Sequence, residues 1–236
     1  MLDQIEESKF AALRKNCRDL GIPSPPEVFI NMKVVQADGS VSLDERFRAH
    51  SWTRNFYNWM FMAAGDTGGD EGGLFGIGKM SVKGTLGDIH DNNTAPNRAM
   101  RTAGCGYFNP GVGNTFGVVV GTGNTAFSPE DFTLVSIIPD GTGTGQLSHN
   151  AMTSFGVKSY VGKVWTSTVS RYFNNNSDGA IDVAETGLIW GGSLCYSGNS
   201  EHLVERNVLS PAITMAIGAQ LAVDYEISMD FSTPDA

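Results

Sequence analysis

From Leu221 to Phe231 every second residue is large and apolar: Leu221, Val223, Tyr225, Ile227, Met229 and Phe231. A period of two puts all six on one face of a β-strand, and no helix can gather them on one side. A chain holding this segment must build a sheet with a buried face. Other strand-like runs precede it at 116–120, 132–138, 152–160, 162–173, 180–190 and 202–209, rich in Thr, Val, Ile, Tyr and Trp. Asp140-Gly141 and Asp178-Gly179 are turn signals between them. Short strands with regular turns predict a mainly β fold, an antiparallel β-sandwich or jelly-roll-like domain over 116–233.

The first part of the chain reads differently. Phe10, Leu13, Cys17 and Leu20 are spaced as one apolar stripe of a helix over 2–20. Gly21 and Pro23 stop that helix, so 1–24 forms an N-terminal amphipathic segment. Residues 25–64 predict a hairpin, with strands at Glu27–Gln36 and Val41–His50 about Asp38-Gly39. A short helix over Thr53–Ala64 follows, with Trp52, Phe56, Trp59, Met60 and Ala63 as core. Residues 65–115 form a long Gly-rich loop. The stretch 65–123 holds 16 of the 29 glycines, which leaves either short irregular strands or an arm reaching another subunit.

Charge narrows the function classes. The net charge is -9, and residues 1–60 balance eight basic against eight acidic groups. The acidity therefore lies entirely downstream, where it opposes binding of a phosphate backbone, so nucleic acid is not expected as a partner. No apolar run approaches ~20 residues, so no membrane-crossing helix is expected. The start, MLDQIEESKF, has no apolar core of a secretory signal. Cys17, Cys105 and Cys195 are far apart and odd in number, which reads as reduced thiols.

Several short motifs offer chemistry. Gly121-Thr-Gly123-Asn-Thr-Ala126 matches the dinucleotide fingerprint GxGxxA, but Pro129 follows where the fingerprint needs a helix; the reading is a glycine-rich connection. Gly65-Asp-Thr-Gly-Gly69 has a serine-protease look, with His50 upstream, in flanks that do not support a triad. Glu130-Asp131 after Ser128-Pro129 sits in a turn or cap context and reads as solvated. Asn92-Asn-Thr94 and Asn175-Asn-Ser177 are glycosylation sequons. Asn174, Asn176, Asp178, Asp182 and Glu185 fall on the positions of a calcium loop, with Gly179 at its sharp turn. Calcium at that loop is the only cofactor the sequence suggests. The competing reading is a metal-free turn with Asp178-Gly179 at its tip.

Three stretches, VVVGTGNTAFSPEDFTL (Val118–Leu134), SRYFNNNSDGAIDVAETGLIW (Ser170–Trp190) and HLVERNVLSPAITMAIGAQLAVDYEI (His202–Ile227), together with WTRNFYNW (Trp52–Trp59), resemble virion structural proteins of tailed bacteriophages. The resemblance implies a non-enzymatic building block of the tail, collar or fibre apparatus, made in the host cytoplasm and residing in the virion. Its partners would be copies of itself and other virion proteins, and it favours the hairpin reading of Asn174–Gly179. A capsid decoration protein is the alternative placement. A carbohydrate- or cell-surface-binding module, calcium-assisted and using Trp190 and Tyr196, is the alternative function. On the building-block reading, Phe10, Leu13 and Leu20 form an inter-subunit contact stripe.

Overall fold

A computed structural model describes residues 4–50, 52–57, 79–80, 86–87, 117–152, 158–190 and 201–232. The elements in chain order are α1 (Gln4–Asp19), β1 (Glu27–Val35), β2 (Val41–Arg48), β3 (Lys79–Met80), β4 (Leu86–Gly87), β5 (Gly117–Gly121), β6 (Ser148–His149), β7 (Lys158–Val161), β8 (Val164–Asn174), β9 (Ile181–Trp190), β10 (His202–Met215) and β11 (Gln220–Asp230).

The alternating segment becomes β11 and sits in the middle of the larger sheet, whose order is β2-β1-β11-β8-β6, with β7 also on β8. The smaller sheet is β10-β9-β5. All these pairings are antiparallel. The apolar faces of the two sheets meet. Ile30, Met32, Val34, Phe173, Leu221 and Val223 from the larger one share a core with Val118, Val120, Val183, Leu188, Val204 and Met215 from the smaller. The molecule is thus mainly β and sandwich-like, as the sequence predicts.

The β1–β2 hairpin turns at Asp38-Gly39, where the Gln36 N–H donates to the Ser40 carbonyl (2.8 Å) and Asp38 Oδ1 accepts from the Ser40 N–H (2.9 Å). It is no separate unit. β1 pairs with β11 along its length, so the hairpin belongs to the sandwich and not to a segment bounded at 64. α1 ends as expected: Gly21 has φ 68°, its N–H donates to the Arg18 carbonyl, and the Ile22 N–H donates to that of Cys17. This is the double bond pattern of a left-handed glycine cap.

Three readings need correction. The connection Asn174–Gly179 is not a hairpin, because β8 and β9 lie in different sheets; it crosses the end of the sandwich. The run 132–138 forms no strand beyond one bridge, between Ile137 and Gly121. Instead it folds over the outer face of the smaller sheet, where Leu134 packs on Val119, Ile189 and Leu203. β10 continues past 209 to Met215, across a register shift between Val208 and Ile213 that houses Pro211; proline tolerates such a break in the ladder. Residues 54–57 are helical and Trp52 and Phe56 are buried, while Trp59, Met60 and Ala63 lie outside the described residues. Of the loop 65–115, β3 and β4 pair with each other and the rest lies outside them.

Candidate functional site

The calcium-loop residues do not converge. Asn174 ends β8 and bonds Asn150 (3.0 Å) and Gln220 (2.8 Å). Asn176 donates to the Ser148 hydroxyl, and Asp178 accepts from Thr144. Asp182 is already in β9 and accepts from Thr214 (2.5 Å). Glu185 lies further along β9 on the face away from the main core, fully buried. Glu185 is the fifth residue of β9, counted from Ile181, so the twelfth-position ligand is carried away from the turn. Among the described residues no group of three or more His, Cys, Asp or Glu side chains is placed to hold a metal. The residue that organises the turn is Asn175, outside the calcium pattern. Its Nδ2 donates to the carbonyls of Gly179 (2.8 Å) and Met215 (2.9 Å), and its Oδ1 accepts from the Ser177 hydroxyl (2.7 Å). Buried and bonded so, Asn175 has no amide free for a glycan.

What the structure brings together is the GxGxxA stretch and Glu185. Oε1 of Glu185 accepts from the N–H groups of Gly123 (3.1 Å) and Ser136 (2.9 Å). Oε2 accepts from the Val135 N–H (3.2 Å) and from Arg206 Nε (2.7 Å). Converging backbone N–H groups with an arginine make an anion-binding nest, and here its anion is the chain's own carboxylate. The two glycines are there for that reason. A Cβ on Gly121 would stand 2.6 Å from Oε1, and one on Gly123 would collide with the same oxygen and with Val135. Arg206, from β10, completes the cluster by donating to Asp131 (2.9 Å) and to the Thr125 carbonyl (2.9 Å). Asp131 is therefore tied down, while its neighbour Glu130 is exposed and pairs with Arg54. The Glu185–Arg206 cluster fastens the 122–137 segment to the smaller sheet.

On the inner face of the same sheet lies a second buried polar group. Glu205 is fully buried, and among the described residues neither of its carboxyl oxygens meets a hydrogen-bond donor in bonding geometry. The Tyr225 hydroxyl, from β11, is its neighbour, but that hydroxyl shares its short contact with Thr186 Oγ1 (3.1 Å). Burial pushes the Glu205 carboxyl up to about 8, against the weaker opposing pull of Tyr225 and of the Arg206 charge. Burial, with Glu205 behind it, also pushes the Tyr225 phenol up. Arg171, in β8, is buried too. It donates to the carbonyls of Asn150 (2.9 Å) and Val118 (3.1 Å), which bridges the two sheets, and burial lowers it to about 10.

The predicted contact stripe on α1 is divided. Phe10 faces the chain's own body: the Arg48 guanidinium lies 4.3 Å from its ring centre and 4.4 Å from that of Phe29, and the Arg46 guanidinium also lies over Phe29, at 3.9 Å. Glu7 and Glu27 bind both Arg48 and Arg14, and Arg48 with Arg14 holds the Glu7 carboxyl down at about 2 against the opposing effect of burial. Leu13 and Leu20 are exposed. So α1 is docked in cis, which the apolar spacing alone did not reveal. The signal lay in the charges that flank it: Glu7 and Arg14 are one face of the same helix, i and i+7.

His50 of the protease-like pattern stacks on Phe127 (5.4 Å), and residues 65–69 lie outside the described residues. Trp190 is half-buried against Phe56, and Tyr196 lies outside them. Comparison of the chain with protein-family models, with curated proteins and with solved structures gives no match in any of the three.

Proposed function

We propose that this chain is a non-enzymatic structural subunit of a tailed-phage particle, of its tail, collar or fibre apparatus, assembling with its own copies and with other virion proteins. The observation that supports this reading is an apolar surface at one end of the larger sheet. Tyr160 and Val161 at the β7 tip are 64% and 75% exposed, with Trp165 beside them on β8 and Phe231 just past the end of β11, both partly open. Met229 pairs with Trp165, and the Phe231 N–H donates to the Lys163 carbonyl, so these side chains share one end of the sheet. The Ser24 N–H donates to the Asp230 carbonyl, which brings the exposed Leu20 and Ile22 to the same end. A grouped apolar surface of this kind marks a contact with another protein, and symmetry repeats one such contact around a ring or along a tube.

The test is the solution mass across a concentration series, by light scattering, for the wild type and for Val161→Asp. A defined oligomer that Val161→Asp lowers, with the far-UV spectrum unchanged, supports the reading. A wild type that stays monomeric throughout, or an oligomer indifferent to Val161→Asp, removes its support.

A further inference from the structure

The outer face of the larger sheet is divided between two coverings. Over Phe29 and Arg48 it carries α1. Beyond that, it carries a shallow depression of about 280 Å³. The register explains the hollow. Lys33 of β1, Ala222 of β11 and Tyr172 of β8 form one cross-strand row. Between a lysine and a tyrosine the methyl group of Ala222 leaves a gap one side chain deep, with the Tyr172 ring as one wall. The next row sets Asn31 beside Asp224, and the row on the other side runs Val35, Gln220 and Asn174. An aromatic face is thus flanked above and below by planar polar side chains.

The charges choose the ligand class. Lys33 is engaged by Asp44 (3.4 Å). Among the described residues no ion pair includes Asp224, so the hollow presents one net carboxylate, on a chain of charge -9. An anionic ligand is repelled there. A polyhydroxyl ligand offers O–H donors to Asp224 and to the amide oxygens of Asn31 and Gln220, and an apolar ring face to Tyr172. The volume lies just under the ~300–1,000 Å³ of enclosed small-molecule sites, which suits one or two rings of a longer chain lying across an open surface. We infer that the Tyr172–Ala222–Lys33 hollow is a binding site for a neutral oligosaccharide. This site is separate from the apolar end of the sheet and does not depend on the assembly reading.

The experiment is an amide chemical-shift titration of the full chain with maltohexaose, cellohexaose and chitohexaose, each in turn, alongside a dilution series without sugar. At least one sugar is expected to shift the amides of Asn31, Ala222 and Asp224 with a millimolar dissociation constant. Tyr172→Ala should weaken that binding about ten-fold, the weight of one aromatic contact, while Tyr172→Phe keeps it within about two-fold because the ring face remains. The inference falls if no sugar shifts these amides, if the shifts map elsewhere, or if Tyr172→Ala binds as well as wild type. Shifts of the same amides on dilution alone would make the face an interface between copies, and would overturn it too.

Discussion

Glu185 and Glu205 are both fully buried, on adjacent antiparallel strands of one sheet, and their surroundings are opposite. Glu185 faces outward into a nest of three backbone N–H groups and an arginine. Glu205 faces inward toward β11, and among the described residues neither of its oxygens accepts a hydrogen bond. Burial alone therefore does not decide what a carboxyl does in a protein interior; the donors around it do. The outer one is a ligand around which a segment of chain is wrapped. The inner one keeps its proton to a higher pH than an ordinary carboxyl, because burial disfavours its charged form.

The contrast can be broken most severely at Glu185. Glu185→Ala leaves Arg206 buried without its partner and releases three N–H groups, and removing one member of a buried pair costs about 3–5 kcal/mol. Urea unfolding should show a loss of that size, and the Ser136 amide should exchange faster. A variant as stable as wild type would mean that the two glutamates differ in appearance only.

The next largest effect belongs to Glu205, and it is a matter of pH. Its folded value of about 8 exceeds the ordinary 4.5, so the folded state holds a proton that the unfolded state gives up. Its contribution is then most favourable below pH 4.5. Stability falls by up to ~1.4 kcal/mol per pH unit as pH rises, and levels off above about 8. Glu205→Gln removes this slope. Unfolding free energies of the two proteins should match near pH 4.5 and separate by a few kcal/mol at pH 8, with the variant the more stable. Parallel pH profiles would show that Glu205 ionises as freely as a surface carboxyl.

The smallest effect sharpens the claim that backbone was built around Glu185. Gly123→Ala forces a methyl group into the carboxylate and should cost about 1–3 kcal/mol by thermal or urea unfolding. Gly179→Ala, with nothing within 4 Å of its added carbon, should stay within about 0.5 kcal/mol of wild type. Equal losses at the two positions would make the nest an accident of a glycine-rich loop.

The parts of this fold written locally were legible. β11 and β1 show their buried faces by alternation, and Gly21 with Pro23 marks the end of α1, which closes at Asp19 with Gly21 in its cap. What failed was non-local. The run at 132–138 has the branched side chains of a strand, but the Val135 and Ser136 N–H groups are taken by a carboxylate some fifty positions downstream. Asn174–Gly179 has turn chemistry, yet nothing in a turn states that its flanking strands join different sheets. The candidate site was mistaken for the same reason. Spacing placed Glu185 in a calcium loop, whereas the better signal was a charge amid apolar strand residues, as in VAETGLIW and HLVERNVL. A charge in a strand that is covered on both faces must find a buried partner, as Glu185 and Arg206 do, or be pushed toward its neutral form, as Glu205 is. The exposed hollow at Tyr172 had no such signal, because it is made by three residues from three strands.

The central place of β11 also constrains how the protein comes into being. β1 pairs Val35 with Gln220 and Glu27 with Ser228, so its partners lie 185 to 201 residues away. On a ribosome, the β1–β2 hairpin emerges long before the strand that will flank it, and so does the segment later gathered by Glu185 and Arg206. Two-stranded hairpins are marginal alone, and distant pairing slows folding. The larger sheet can therefore close only once β11 has left the exit tunnel, and nascent chains stalled before Gln220 should remain sensitive to protease across β1 and β2, while chains carrying an added C-terminal linker long enough to place Asp230 outside the tunnel become resistant.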